Sequence, residues 1–104
     1  MRLHELVILQ AADGTWPLTR KLASLLGREL DDLHAAAGVP LNHPDTIRAW
    51  GTALVLTWLE LYAADFRDEW EMLAQKSSRW LVTVPPPSSE HSWIGLAGEV
   101  LKDR

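Results

Sequence analysis

The 104 residues include no cysteine, one tyrosine and one phenylalanine. Without cysteine there is no disulfide scaffold and no thiolate metal site, and the composition fits a reducing compartment. Basic charge is also short. Lysine and arginine number 10 against 14 acidic residues, for a net charge of −4 and a pI near 5.4. A nucleic-acid-binding surface needs a basic patch for the phosphates, so that class is excluded. Long apolar runs are absent as well. The longest uncharged apolar stretch, Ala49 to Leu59, is too short to span a bilayer. The N-terminus offers one arginine and the short run Leu6 to Leu9, so no secretory signal is expected.

What is present is a globular composition, 47% apolar and 23% charged. A chain of this length is expected to form one domain, residues 1–104, and to bury about two thirds of its unfolded surface. Six tryptophans stand out. Tryptophan either fills a core or anchors an interface, so each one has to be placed.

The periodicity is helical throughout and no strand signal occurs. Leu3, Leu6, Val7 and Gln10 mark a first helix, which Gly14 is expected to end in a left-handed cap. Trp16 precedes Pro17 and is therefore extended. Thr19 suits the N-cap of a second helix carrying Leu22, Leu25 and Leu26, with Gly27 as its stop. A third runs through Leu30, Leu33 and Ala37 to Gly38, with Asp31 and Asp32 favoured by the dipole of its first turn. Helices this short are unstable alone and must pack on something.

The segment from Ile47 to Ala64 supplies that partner after a loop from Val39 to His43. Its only charges are Arg48 and Glu60. Trp50, Leu54, Trp58, Leu61 and Tyr62 form one stripe, and Val55, Leu56 and Leu59 the other side, the pattern of a buried central helix. Pro44 fits its first position. Gly51 costs about 1 kcal/mol there and points to a close crossing by another helix. Phe66, Trp70, Leu73, Ser77, Trp80 and Val84 then mark an amphipathic helix. A bend is expected at Ala63 to Asp65, because one continuous helix would be about 60 Å long. Pro85, Pro86 and Pro87 end it. Ser88, Ser89 or Ser92 is expected to cap a last helix with Trp93, Ile94, Ala97, Val100 and Leu101, weakened by Gly95 and Gly98. The expected fold is all-α: a compact bundle of about six helices, three short ones packed on a long central helix, then an amphipathic and a short C-terminal helix.

Residues suited to catalysis are thin. His43, Pro44 and Asp45 read as a helix start, and Glu90 and His91 as a solvated turn. No His-x-x-x-His or Glu-x-x-His pair involves His4, His34 or the other histidines, no metal or cofactor motif occurs, and there is no phosphate loop or nucleophile elbow. Glu60 is expected to make a structural hydrogen bond or ion pair. A binding module remains, with Trp16 and Trp93 as core plugs first and partner hooks second. Ile94 beside Trp93 completes the candidate contact set. An oligomerisation or scaffold module within a larger protein, with self-association through the Phe66 to Val84 stripe, is the competing expectation.

Three stretches carry a resemblance. "LVILQAADGTWPLTRKLASLL", Leu6 to Leu26, "AWGTALVLTWLELYAADFRDEWEMLAQKSSRWL", Ala49 to Leu81, and "WIGLAGEVL", Trp93 to Leu101, follow one another in order. Together they resemble the C-terminal domain shared by the vault poly(ADP-ribose) polymerase and the von Willebrand factor A domain-containing 5 proteins. In the vault polymerase that region is the major-vault-protein interaction domain. The resemblance implies a docking domain without catalytic activity, a cytoplasmic location and the major vault protein as partner. The chain departs from that pattern in two places. It has fewer residues between the Leu-rich helices and the last helix, and Glu29 stands where relatives carry a serine cap.

Overall fold

The computed structural model describes residues 3–38, 42–87 and 91–102. These form six α-helices, with no strand among the described residues: α1 Leu3–Leu9, α2 Arg20–Leu25, α3 Leu30–Ala36, α4 Pro44–Tyr62, α5 Arg67–Leu81 and α6 Trp93–Lys102. One 3-10 turn, Ala64–Phe66, joins α4 to α5. The helical bundle read from the sequence is therefore the observed architecture. The Cα radius of gyration is 12.4 Å, about the 13 Å of a folded chain of this size.

Helix α4 is the axis of the molecule. Ala49 to Thr57 and Leu59 are all buried on it, because its neighbours cover it from several sides. Helices α5 and α6 both pack along it. The stripe reading fails at the last turn, where Leu61 and Tyr62 emerge into solvent at 38% and 44% exposure. The chain reverses where expected, at Ala63, whose φ of −129° and ψ of 24° break the helix. Phe66 belongs to the turn and is exposed, while Trp70 and Ser77 turn inward.

The short helices have physical starts and stops. Thr19 is extended and its Oγ1 accepts a hydrogen bond from the Leu22 amide at 3.2 Å. Glu29 opens α3 without a side-chain cap. At α4 the cap is the histidine: His43 Nδ1 accepts from the Asp45 amide at 3.2 Å. Helix α1 stops at Leu9, earlier than Gly14. Gly14 instead sits at φ +89° in a following turn, its amide donating to the Ala11 carbonyl at 2.9 Å. A Cβ there would lie 2.8 Å from Lys76 Cγ. Helix α5 likewise ends at Leu81, before the proline run. Ser92 caps α6, its Oγ accepting from the Gly95 amide at 2.9 Å. Ser88 and Ser89, the other expected caps, and Val39 to Leu41 of the expected loop lie outside the described residues.

Gly51 reports a close approach, but not by a helix. A Cβ on it would overlap the Trp16 carbonyl oxygen and sit 2.8 Å from the Leu18 nitrogen. The extended segment Trp16 to Leu18 crosses α4 backbone to backbone, and the Trp16 amide donates to Thr52 Oγ1 at 3.0 Å.

Candidate protein-interaction surface

A buried indole must satisfy its N–H. Four of the tryptophans do so on backbone carbonyls. Trp16 Nε1 donates to Leu6 at 2.7 Å, Trp50 to Leu33 at 2.7 Å, Trp70 to Ala63 at 2.8 Å and Trp93 to Pro85 at 2.9 Å. Leu6 and Leu33 lie in the last turns of α1 and α3, where helix carbonyls lack internal partners. Trp16 and Trp50 thus act as C-terminal caps delivered from elsewhere in the chain. Trp93 also meets Trp50 at 6.3 Å between ring centroids, tilted by 45°. Trp58 and Trp80 are half-buried at the edge of the core.

Of the three residues read as partner contacts, two are closed off. Trp16 is 2% exposed and Trp93 5%. Ile94 is the one that reaches solvent, at 42%. Trp16 and Ile94 are not brought into one patch: the first lies beneath α4 with α1, the second on the outer face of α6. The Phe66 to Val84 stripe faces inward, apart from Phe66 itself.

The turn before Trp16 is clamped against α5. Gln10 Nε2 donates to the Gly14 carbonyl and to Ser77 Oγ, each at 3.1 Å. Ser77 Oγ donates in turn to the Gly14 carbonyl, and Lys76 Nζ to the Ala12 carbonyl at 2.9 Å. Asp13 Oδ1 accepts from the Thr15 hydroxyl at 2.6 Å and the Thr15 amide at 3.1 Å. The Thr15 hydroxyl bond, with Arg48 nearby, holds the Asp13 carboxyl below the usual carboxylate range, partly opposed by burial.

The titratable side chains are scattered. His43 is committed to its cap, and His91 Nε2 lies 3.2 Å from Glu99 Oε2. Glu60 is exposed at the end of α4 and pairs with Arg67 at 2.7 Å; Arg67 also lies 4.9 Å over the Trp70 ring. Glu90 lies outside the described residues. Among the described residues no His, Asp and Glu cluster has the geometry of a metal site, and no helix is long and apolar enough to cross a membrane.

The concave surface between α5 and α6 is predominantly apolar. A groove of about 570 Å³ runs between α5 and α6, with α4 as its floor. Leu56, Thr57, Glu60 and Leu61 come from α4, Trp70, Ala74 and Ser78 from α5, and Ile94, Gly95, Gly98, Glu99 and Lys102 from α6. The sequence reading took Gly95 and Gly98 only as weak points and missed Thr57 and Leu61. The available signal was two glycines about one turn apart in a mainly apolar helix.

Compared with known proteins, this chain is 39% identical over 89 residues to the von Willebrand factor A domain-containing protein 5A of Rattus norvegicus, an alignment covering 80% of the chain. The Homo sapiens protein of the same name is 34% identical over 79 residues, 76% of the chain. The chain is homologous to a segment of von Willebrand factor A domain-containing protein 5A. That segment is small: the chain spans about a tenth of the length of the rat and human relatives. A von Willebrand factor A domain-containing protein of Dictyostelium discoideum matches 97% of the chain at 31% identity, again over only 5% of its own length. No protein-family model and no solved structure matches. Homology to protein 5A agrees with that part of the resemblance drawn from the three sequence stretches.

Proposed function

We propose that this chain is a non-catalytic protein-docking domain, and that its partner is the major vault protein. The observation that carries the reading is how the tryptophans are used. Four of them spend their indole N–H groups on the fold's own carbonyls, so the tryptophan content builds a rigid scaffold. The apolar groove at α4, α5 and α6 stays open to solvent. An exposed apolar surface on a rigid helical frame is suited to binding another protein. Homology to protein 5A, of which the chain spans about a tenth, supports a role as a module within a longer polypeptide. The resemblance to the vault polymerase domain supplies the partner, and with it a cytoplasmic setting.

The test is co-sedimentation of the purified chain with vault shells assembled from major vault protein. Saturable association at micromolar concentration is expected. No association at that concentration would overturn the partner assignment. The competing oligomer reading drew on the Phe66 to Val84 stripe, and the fold already covers most of that stripe from within.

A further inference from the structure

We propose that Tyr62 is a phosphorylation site of the folded domain. A tyrosine kinase would supply the phosphoryl group from ATP, Arg28 would receive it, and the last turn of α6 would be released. This assignment does not depend on which partner the chain docks.

The chain has one tyrosine, and it occupies the last position of α4. Trp58, one turn earlier, orients its ring, with centroids 5.7 Å apart. The tyrosine is 44% exposed. From Glu60 to Glu69 every residue except Ala63 is exposed as well. The helix breaks at Ala63 and gives way to the three-residue 3-10 turn. A kinase must take the phenol and its flanking backbone into its active site. A helix end opens locally at far lower cost than a helix middle.

The group beside its hydroxyl singles Tyr62 out. Tyr62 Oη donates to the Leu101 carbonyl of α6 at 3.4 Å, and Arg28 Nη2 donates to the same oxygen at 3.2 Å. The phenol and the guanidinium therefore converge on one atom. The phenol bond is long for an O–H···O contact, which leaves the hydroxyl available. Arg28 itself is well fixed. It follows Gly27 at the end of α2, and its amide donates to the Ala23 carbonyl at 2.9 Å. Its side chain belongs to a half-buried residue and pairs with no carboxylate among the described residues. Arginine binds phosphate through two parallel hydrogen bonds. A fixed guanidinium without an anion, beside the chain's one phenol, is a receptor for a phosphoryl group on that phenol. Exposed Lys102, next to Leu101, adds a second positive charge.

In the transfer, the phenol loses its proton to a base of the kinase. The Tyr62 oxygen bonds to the γ-phosphorus of ATP, the bond from that phosphorus to the bridging oxygen breaks, and ADP leaves. The product reverses the local bonding. A phenol donates a hydrogen bond, whereas a phosphotyrosine carries a charge of about −1.5 to −2 at pH 7 and accepts. Leu101 lies in the last turn of α6, where carbonyls have no partner inside the helix. Phosphorylation removes the Tyr62 donor from that carbonyl and draws Arg28 away toward the phosphate. It also sets negative charge at the negative end of both α4 and α6. Helix α6 has little intrinsic helicity in reserve, because Gly95 and Gly98 lie inside it. Its last turn then frays, while its first turn stays anchored by the Trp93 bond to Pro85.

The experiment treats the purified chain with Mg-ATP and the catalytic domain of a broad-specificity tyrosine kinase. A synthetic peptide of residues 56–69 is treated in parallel. Mass spectrometry should find one phosphate per chain, on Tyr62, added at a rate within about a hundredfold of the peptide's, the range that local opening of a helix end allows. Tyr62→Phe should accept none. A slower reaction of the chain, or none in either substrate, would overturn the site. The phosphate ester is then titrated by 31P NMR. Its midpoint in phosphorylated Arg28→Gln should lie about half a pH unit or more above that of the phosphorylated wild type, because a positive neighbour has been removed. If Arg28→Gln folds poorly, Arg28→Lys, which keeps the charge but loses the paired donors, should still move the midpoint up. No upward movement in either variant would overturn Arg28 as the receptor. Amide exchange from Val100 to Lys102 should speed up by about tenfold or more on phosphorylation, with the Trp93 indole N–H unchanged. Unaltered exchange at those amides would overturn the release of α6.

Discussion

An indole N–H left unpaired in a core costs about 1–3 kcal/mol, a large share of a total stability of roughly 5–15 kcal/mol. Trp16 separates the two contributions of such a residue. Trp16→Phe keeps much of the apolar volume and removes the donor to Leu6. It should cost about 1–3 kcal/mol by chemical denaturation, plus a smaller packing loss. Trp16→Ala should cost about 3–5 kcal/mol. A near-neutral Trp16→Phe would show that the bond to Leu6 contributes little. Gly51 carries the opposite lesson to the usual helix glycine. Gly51→Ala would ordinarily stabilise a helix by about 1 kcal/mol. Here the new methyl meets the Trp16 carbonyl and the Leu18 nitrogen, backbone atoms that cannot rotate away. A loss of about 1–3 kcal/mol or more is expected from melting curves.

Among the elements, the turn Asp13 to Thr15 ties α1 to the rest, and its carboxylate gives it a pH signature. The Asp13 pKa is lowered in the folded state, first by the Thr15 hydroxyl. Its contribution is therefore complete above the unfolded carboxylate pKa, near 4, and disappears as pH falls through the lower folded value. Asp13 is 45% exposed, so solvent screening keeps the effect small. Asp13→Asn should melt below the wild type at pH 7, and the gap should narrow below about pH 4. A gap that is constant with pH would place the stabilising effect outside the carboxylate charge. The elements also show what was legible in sequence. Thr19 and Gly27 depend on local backbone chemistry, which residue type reveals, whereas the bend at Ala63 follows from length, one continuous helix being too long for a compact domain. The true end of α1 at Leu9 was not legible, because Gln10 leaves the helix for tertiary bonds to Gly14 and Ser77. Nor could periodicity identify the segment crossing Gly51, since a flat approach by extended backbone and by a helix both require glycine.

At the scale of the whole molecule, a buried axis is surrounded unequally. One side of α4 is closed by α1 to α3 and by the tryptophan bonds; the other is left as a groove between α5 and α6. Sequence reading took Trp16 and Trp93 as core plugs first and partner hooks second, because tryptophan marks interfaces as well as cores; their burial agrees with the first of these. Which of the two applies is set by the carbonyl each N–H finds, and that depends on tertiary placement. Only Ile94 of the three candidate contacts faces solvent, and it lies on the lip of the groove.

The measurement that tests this account most directly is amide hydrogen exchange of the chain, free and bound to vault shells. The account predicts added protection in α6 and the last two turns of α4, with the Trp16 segment equally protected in both states. Added protection confined to α1 and the Trp16 segment, or none anywhere with vault shells in excess, would contradict it.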